Sequence, residues 1–251
     1  MTSDEPPSED RARPGAWAMT AVAVLLTMGS AATDIMAFTR LGNVFASVMT
    51  SNIVFLGLAA ARHSGTLAVH AVVSFAGYVA GVTIASRLAR RPARGVPGTP
   101  WTRWVMAALA VEAAFLAAFT IGWEVTGGRP AGGTQLVLIA LATMAMGMQS
   151  AVVVVLNISG VATTYLTGTL TALIDSVASP AEARGTAKWR EANARRALVV
   201  AALAVGALLA GLLVTGAPAA VPAIPLAALA VVQLIGATHL RGVPGNASPA
   251  G

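Results

Sequence analysis

The chain has 251 residues, 56% of them hydrophobic and 10% charged. A soluble domain carries roughly 25% charged residues to cover its water-facing surface, so this composition excludes an ordinary soluble enzyme and fits a chain solvated by lipid. The net charge of +6 does not point to nucleic acid, because the few basic residues flank apolar runs, where Lys and Arg orient membrane helices. Cysteine is absent, and the histidines (His63, His70, His239) are scattered. Neither a metal centre nor a cofactor is expected.

Taken in chain order, residues 1–15 are polar and proline-bearing and read as a disordered cytoplasmic tail. Eight hydrophobic segments follow, near 16–37, 41–62, 67–88, 102–123, 133–156, 160–178, 196–216 and 222–240, with a second disordered tail over 241–251. The first apolar run holds about 20 uncharged residues and exceeds the ~7–15 of a signal-peptide core, so it is read as a retained helix. The uncharged run 130–174 would form a helix of about 67 Å, twice the bilayer core. It must turn back, and Asn157-Ile158-Ser159-Gly160 is the expected break. The run 197–240 turns back at Pro218, Pro222 and Pro225.

Arginine placement decides which segments cross. The loops Arg87–Arg94 and Arg184–Arg196 are the most basic and are both assigned to the cytoplasm. Two crossings between them keep both inside; three do not. Segment 160–178 is therefore expected to dip in and return, and the same logic applies to 41–62. The predicted fold is an all-α polytopic membrane protein in the plasma (inner) membrane, with about six transmembrane helices, two re-entrant or broken segments and both termini in the cytoplasm. Eight full crossings are the alternative. Residues 180–196 read as a basic amphipathic helix on the anionic leaflet.

A gap-free match sets Thr50 against Thr167. Arg40-Leu41-Gly42-Asn43-Val44-Phe45-Ala46-Ser47-Val48-Met49-Thr50-Ser51-Asn52 faces Asn157-Ile158-Ser159-Gly160-Val161-Ala162-Thr163-Thr164-Tyr165-Leu166-Thr167-Gly168-Thr169. Ser47 meets Thr164, Thr50 meets Thr167, Ser51 meets Gly168 and Asn52 meets Thr169. A weaker echo joins Ala107–Val111 to Ala227–Val231. The chain divides into membrane repeats over 16–123 and 133–240. With three crossings in each, the two are inverted, as in many secondary transporters.

Thr33-Asp34, followed by Gly42-Asn43-Val44-Phe45-Ala46-Ser47-Val48-Met49-Thr50-Ser51-Asn52-Ile53-Val54-Phe55-Leu56-Gly57, resembles the signature of the YoaK-like bacterial inner-membrane proteins. Met146-Gly147-Met148-Gln149-Ser150-Ala151 and Thr163-Thr164-Tyr165-Leu166-Thr167-Gly168-Thr169-Leu170-Thr171 extend the resemblance over roughly 16–240. The family usually has Thr-Gly-Asn where this chain has Thr50-Ser51-Asn52, which removes the backbone freedom of glycine at Ser51. The resemblance implies a multi-pass plasma-membrane protein and no settled biochemistry.

Candidate binding residues for a small-molecule or ion substrate are Asn43, Ser47, Thr50, Ser51 and Asn52 in the first half, with Thr163, Thr164, Thr167, Gly168 and Thr169 in the second. A half-helix starting at membrane depth aims free N–H groups at a ligand; the bland reading is that small polar residues hold helices together. Asp34 is either a coupling-ion or proton site, or a cap or partner of Arg40. Glu112 lies mid-span, where a carboxylate costs at least ~2.5 kcal/mol. It is either a proton-binding group or a protonated acid bonded to a neighbouring helix. Gln149 either orients a substrate or bridges helices. Asp175 is expected among headgroups, and His63 and His70 in interfacial packing.

Trp101, Trp104 and Trp123 read as an interfacial belt. Gly77 and Gly81 are expected to bring helices close within the bundle, with homo-oligomer formation left open. No phosphate loop, zinc-protease helix or nucleophile elbow occurs in the sequence. A small secondary transporter or permease is the expected function, and a non-transporting scaffold or accessory subunit the alternative.

Overall fold

The structure is a computed structural model and describes residues 16–90, 101–157, 166–179 and 186–240. Both expected tails, most of the Asn157–Gly160 break, Thr163 and Thr164 lie outside these residues.

Eight α-helices follow in order: α1 (Ala16–Arg40), α2 (Met49–Ala61), α3 (Gly65–Ala89), α4 (Arg103–Val125), α5 (Gly132–Leu156), α6 (Leu166–Ala178), α7 (Ala187–Gly216) and α8 (Ala223–Ile235). A 3-10 turn over Pro218–Ala220 precedes α8, and a π turn over Gly236–Leu240 prolongs it. No strand occurs among the described residues. Local chemistry sets the ends: Ser64, Thr102 and Thr186 accept backbone N–H groups of the first turns of α3, α4 and α7. Asn157 stops α5 in the left-handed conformation at φ 45°, as a helix C-terminus favours.

Six stretches are long and apolar enough to cross a membrane: 17–40, 65–89, 103–125, 132–156, 189–216 and 218–240. The other two helices, α2 and α6, have 13 residues each. At 1.5 Å per residue each reaches about 20 Å, short of a core about 30 Å thick. The length of α2 alone excludes eight full crossings; residues 158–165, before α6, lie outside the described residues. One boundary expectation is corrected. Residues 187–196 do not form a separate surface helix but are the first turns of α7, which runs unbroken to Gly216. Charge ends the hydrophobic run there, yet Arg, Glu, Ala and Lys all favour helix, so nothing in the backbone stops it.

Close contacts fix the directions of the helices. Gly206 of α7 lies on Met28 of α1, while Gly77 and Gly81 of α3 lie on Ala140, Thr143 and Met144 of α5. Both pairs run parallel. The α1–α5, α1–α8, α4–α5 and α4–α8 pairs run antiparallel, through Gln149 to Leu26, Gly29 to Pro225, Gly122 to Leu138 and Gln233 to Leu109. Consequently the start of α1, the end of α3, the start of α7 and the end of α8 lie at one end of the bundle. Arg87, Arg90, Arg190, Arg195 and Arg196 gather at that end.

The α3–α5 contact is the tightest seam. A Cβ on Gly81 would collide with the Met144 carbonyl, and one on Gly147 with the Tyr78 carbonyl. Gly77 and Gly81 are thus spent inside the bundle and do not form a self-association face. Substituting Gly81→Val should destabilise the fold by about 1–3 kcal/mol through overpacking, read as earlier thermal unfolding in detergent. Gly57→Ala on α2, where nothing lies within 4 Å of the added carbon, should show no loss.

Candidate functional site

After α1 the chain turns sharply at Gly42 (φ 93°) and Asn43 (φ 60°). The ring of His70 occupies the space a Cβ on Gly42 would need, and His70 Nδ1 lies 3.4 Å from the Gly42 carbonyl. The chain then descends beside α3 before α2 climbs back. Asn52, near the start of α2, bonds Ser74 of α3. Ser74 lies nine residues past Gly65, about 13 Å along the helix, so α2 begins near mid-membrane.

Irregular backbone at that depth needs partners from protein, and the side chains supply them. One Asp34 carboxylate oxygen accepts the N–H groups of Ala46 (2.7 Å) and Ser47 (2.8 Å), and the other accepts the Ser47 hydroxyl. Asn52 mimics a strand partner: its Oδ1 accepts the Phe45 N–H (2.8 Å) and its Nδ2 donates to the Phe45 carbonyl (2.7 Å). The same Nδ2 reaches Ser74 Oγ, whose hydroxyl donates to Phe45 O at 3.0 Å. Phe38, Phe45 and Phe55 cover the outside, with Phe45 5.2 Å from Phe38 and 6.1 Å from Phe55 between ring centres.

Asp34, Ser47 and Asn52 are thus brought together in one latch. Arg40 does not pair with Asp34; its guanidinium donates to the Val214 carbonyl (3.0 Å) and ties α1 to α7. Asn43 and Thr50 are exposed and Ser51 is half-buried. In the second half, α6 rests on α7. Thr169 is buried against the bundle, while Thr167, Gly168 and Asp175 are exposed. The Asn193 amide donates to Ser176 Oγ (2.6 Å) and accepts from Arg196 (3.0 Å), holding the end of α6 to the start of α7. Thr50 and Thr167 therefore sit exposed on separate supports.

The remaining candidates lie in the centre. Glu112 is completely buried, and neither carboxylate oxygen has a hydrogen-bond partner. Gln149 bridges helices, its amide donating to the Leu26 carbonyl at 3.1 Å. At the end opposite the arginine-rich one, a cleft of about 420 Å³ opens between the starts of α3 and α5, lined by Gly65, Thr66, Val69, His70, Gly132, Gln135 and Leu136. His70 is buried beside it, whereas His63 is exposed in a turn.

The tryptophan belt is corrected at two positions. Trp101 packs on Gly236 and donates to Met106 Sδ, and Trp123 donates to the Pro218 carbonyl (2.8 Å); both rings are buried in the bundle. Each indole N–H finds a partner in protein, which is what a buried Trp requires. Trp104 is half-buried, with Arg103 4.8 Å over its ring.

Sequence reasoning passed over Ser74 and Thr27. Ser74 had a signal, since it continues the small-residue stripe Ala71, Ser74, Gly77, Gly81 on the buried face of α3. Thr27, buried with an unpartnered hydroxyl, looks in sequence like any other threonine of an apolar helix.

The six membrane-length helices and two half-length ones define a multi-pass membrane protein. Residues 22–235 match the family described as "Protein of unknown function (DUF1275)", and the chain belongs to that family. It is similar to the UPF0700 transmembrane protein YoaK of Bacillus subtilis (strain 168), 30% identical over 153 residues. That match spans 61% of this chain and 64% of the relative. No solved structure matches.

Asp34→Ala would leave the Ala46 and Ser47 N–H groups without an acceptor. The expected loss is about 1–3 kcal/mol for each of the two stranded donors, measured as reduced thermal stability in detergent. Thr50→Ala, at an exposed position, should leave stability unchanged.

Proposed function

We propose that this protein is a small secondary transporter or permease of the plasma membrane, built from two inverted repeats with both termini in the cytoplasm. The carrying observation is a packing scheme that recurs between the halves. As α1 packs on α7 and α8, so α5 packs on α3 and α4; as α2 leans on α3, so α6 leans on α7. Corresponding helices run in opposite directions. In sequence, the match that sets Thr50 against Thr167 pairs residues of α2 with residues of α6. Inverted halves carrying interrupted helices are the frame on which alternating access operates.

Orientation follows from the arginine-rich end, which the positive-inside tendency assigns to the cytoplasm. The cleft beside His70 and Gln135 then opens outward. The exposed polar starts of α2 and α6, with Thr50 and Thr167, serve as substrate-facing groups at mid-depth.

One observation favours the second reading, a membrane scaffold or accessory subunit. Asp34, Ser47, Asn52 and Ser74 satisfy one another, as interhelical glue does.

The native chain has no cysteine, so single introduced cysteines report both topology and water access. Thr66→Cys should react with an impermeant maleimide from outside, and Arg190→Cys only after permeabilisation. Reconstituted protein should carry at least one of sodium, potassium, chloride, inorganic phosphate or an amino acid above empty vesicles. Thr50→Ala combined with Thr167→Ala should lower that flux severalfold. Absence of flux, together with a stoichiometric co-purifying partner, would instead establish the accessory role.

A further inference from the structure

The centre of the bundle holds polar groups that the packing leaves unused. Glu112 sits midway along α4, completely buried, with both oxygens unpartnered. Thr27 of α1 is completely buried, and its hydroxyl is unpartnered too. Contacts between helices put them in one layer. α4 and α8 are pinned by Trp123 on the Pro218 carbonyl and by Gln233 on the Leu109 carbonyl. Interpolating between those pins sets Glu112 opposite the turn holding Leu229. Gly29 of α1 lies against Pro225 and Ala228 of α8, which sets Thr27 at the same turn. Gln149 joins the layer from α5 through its bond to Leu26.

We propose that Glu112 is a proton-binding site at the centre of this layer, with Thr27 as the hydroxyl that pairs with its carboxyl when the bundle changes state. Among the described residues, no cation is bonded to either Glu112 oxygen. Among the described residues, the helices packed most closely on α4 are α5, α8 and α3. α5 and α8 carry no ionisable side chain, and the π turn after α8 adds only His239. α3 brings His70, Tyr78 and Arg87, and α4 itself has Arg103 and Glu124 near its ends. α1, which supplies Thr27, adds Asp34, bonded in the latch, and Arg40, bonded to Val214.

A bare proton fits this site better than a calcium or magnesium ion does. Hard cations such as calcium or magnesium need about six or more oxygen ligands, and no group of three or more His, Asp or Glu side chains occurs among the described residues. A neutral carboxylic acid needs only space and one good hydrogen bond. Intramembrane carboxyls that mark proton relays face the bundle interior in this way.

As a coupling site, this assignment rests on the transporter reading. Proton binding itself is read independently, by infrared difference spectroscopy on the full protein in lipid vesicles. Wild type should show a protonated-carboxyl carbonyl band that disappears when the bath is stepped from acid to alkaline. Glu112→Gln should lack that band, and Asp34→Asn should retain it. Thr27→Val should keep the band and move its titration midpoint. A band unchanged by Glu112→Gln, or one indifferent to pH, would overturn the proposal.

Should Glu112→Gln fail to stay monodisperse, Glu112→Asp supplies the same test by shifting the band rather than removing it. An unshifted band would again overturn the proposal. A titrating band without solute flux would sink the transporter reading and leave the proton site standing. Solute flux equally driven by a proton gradient in wild type and Glu112→Gln would retain transport and remove Glu112 as its coupling group.

Discussion

Backbone N–H and C=O groups have no water to bond in hydrocarbon, and the stretch from Leu41 to Val48 makes no helix of its own in which to bond them. Its entry into the bundle depends on the Asp34 carboxylate, which accepts two consecutive N–H groups and a hydroxyl. Asn52 and Ser74 complete the arrangement at Phe45. Without this latch, the stranded amides would each cost about 1–3 kcal/mol, with no water at that depth to replace the lost acceptor. The helix α2 would then have no fixed starting point. The position of α2, the covering phenylalanines and the turn at Gly42 all follow from it.

The helices around the latch are not all held in the same way. α3 and α5 meet backbone to backbone at Gly77, Gly81 and Gly147, which makes that pair a stiff plate. The α1–α7 pair has a single comparable approach, Gly206 on Met28, with Arg40 tying its far end to Val214. α2 and α6 touch the bundle on one side only and expose their outer faces. In a bundle of this kind the half-length helices are the elements freest to shift.

Much of the architecture was legible because hydrocarbon imposes length on sequence. The two long runs that must fold back follow from bilayer thickness, and helices end at both places, at Asn157 and just before Pro218. What stayed hidden depends on tertiary partners. Trp123 looks like an interfacial anchor until Pro218 is found beside it. Arg40 looks like the partner of Asp34 until the chain brings α7 alongside. Residues 180–196 read as a separate surface element because hydrophobicity stops there, although helix propensity does not, and the described part from Ala187 onward continues into α7. Of the candidate residues, Asp34, Ser47 and Asn52 prove to belong together. Their spacing in sequence carried no sign that a fourth group, Ser74, closes the network.

The length of α7 has a mechanical consequence. Its 30 residues extend about 45 Å through a hydrocarbon layer about 30 Å thick, so the arginine-bearing turns overhang the lipid. α6 is strapped to that overhang through Ser176 and Asn193. A thicker bilayer would draw Arg195 and Arg196 toward hydrocarbon and force α7 to tilt less, and a thinner one would let it lean. Because Asn193 fastens α6 to α7, a change in the tilt of α7 with membrane thickness would carry the second half-helix with it.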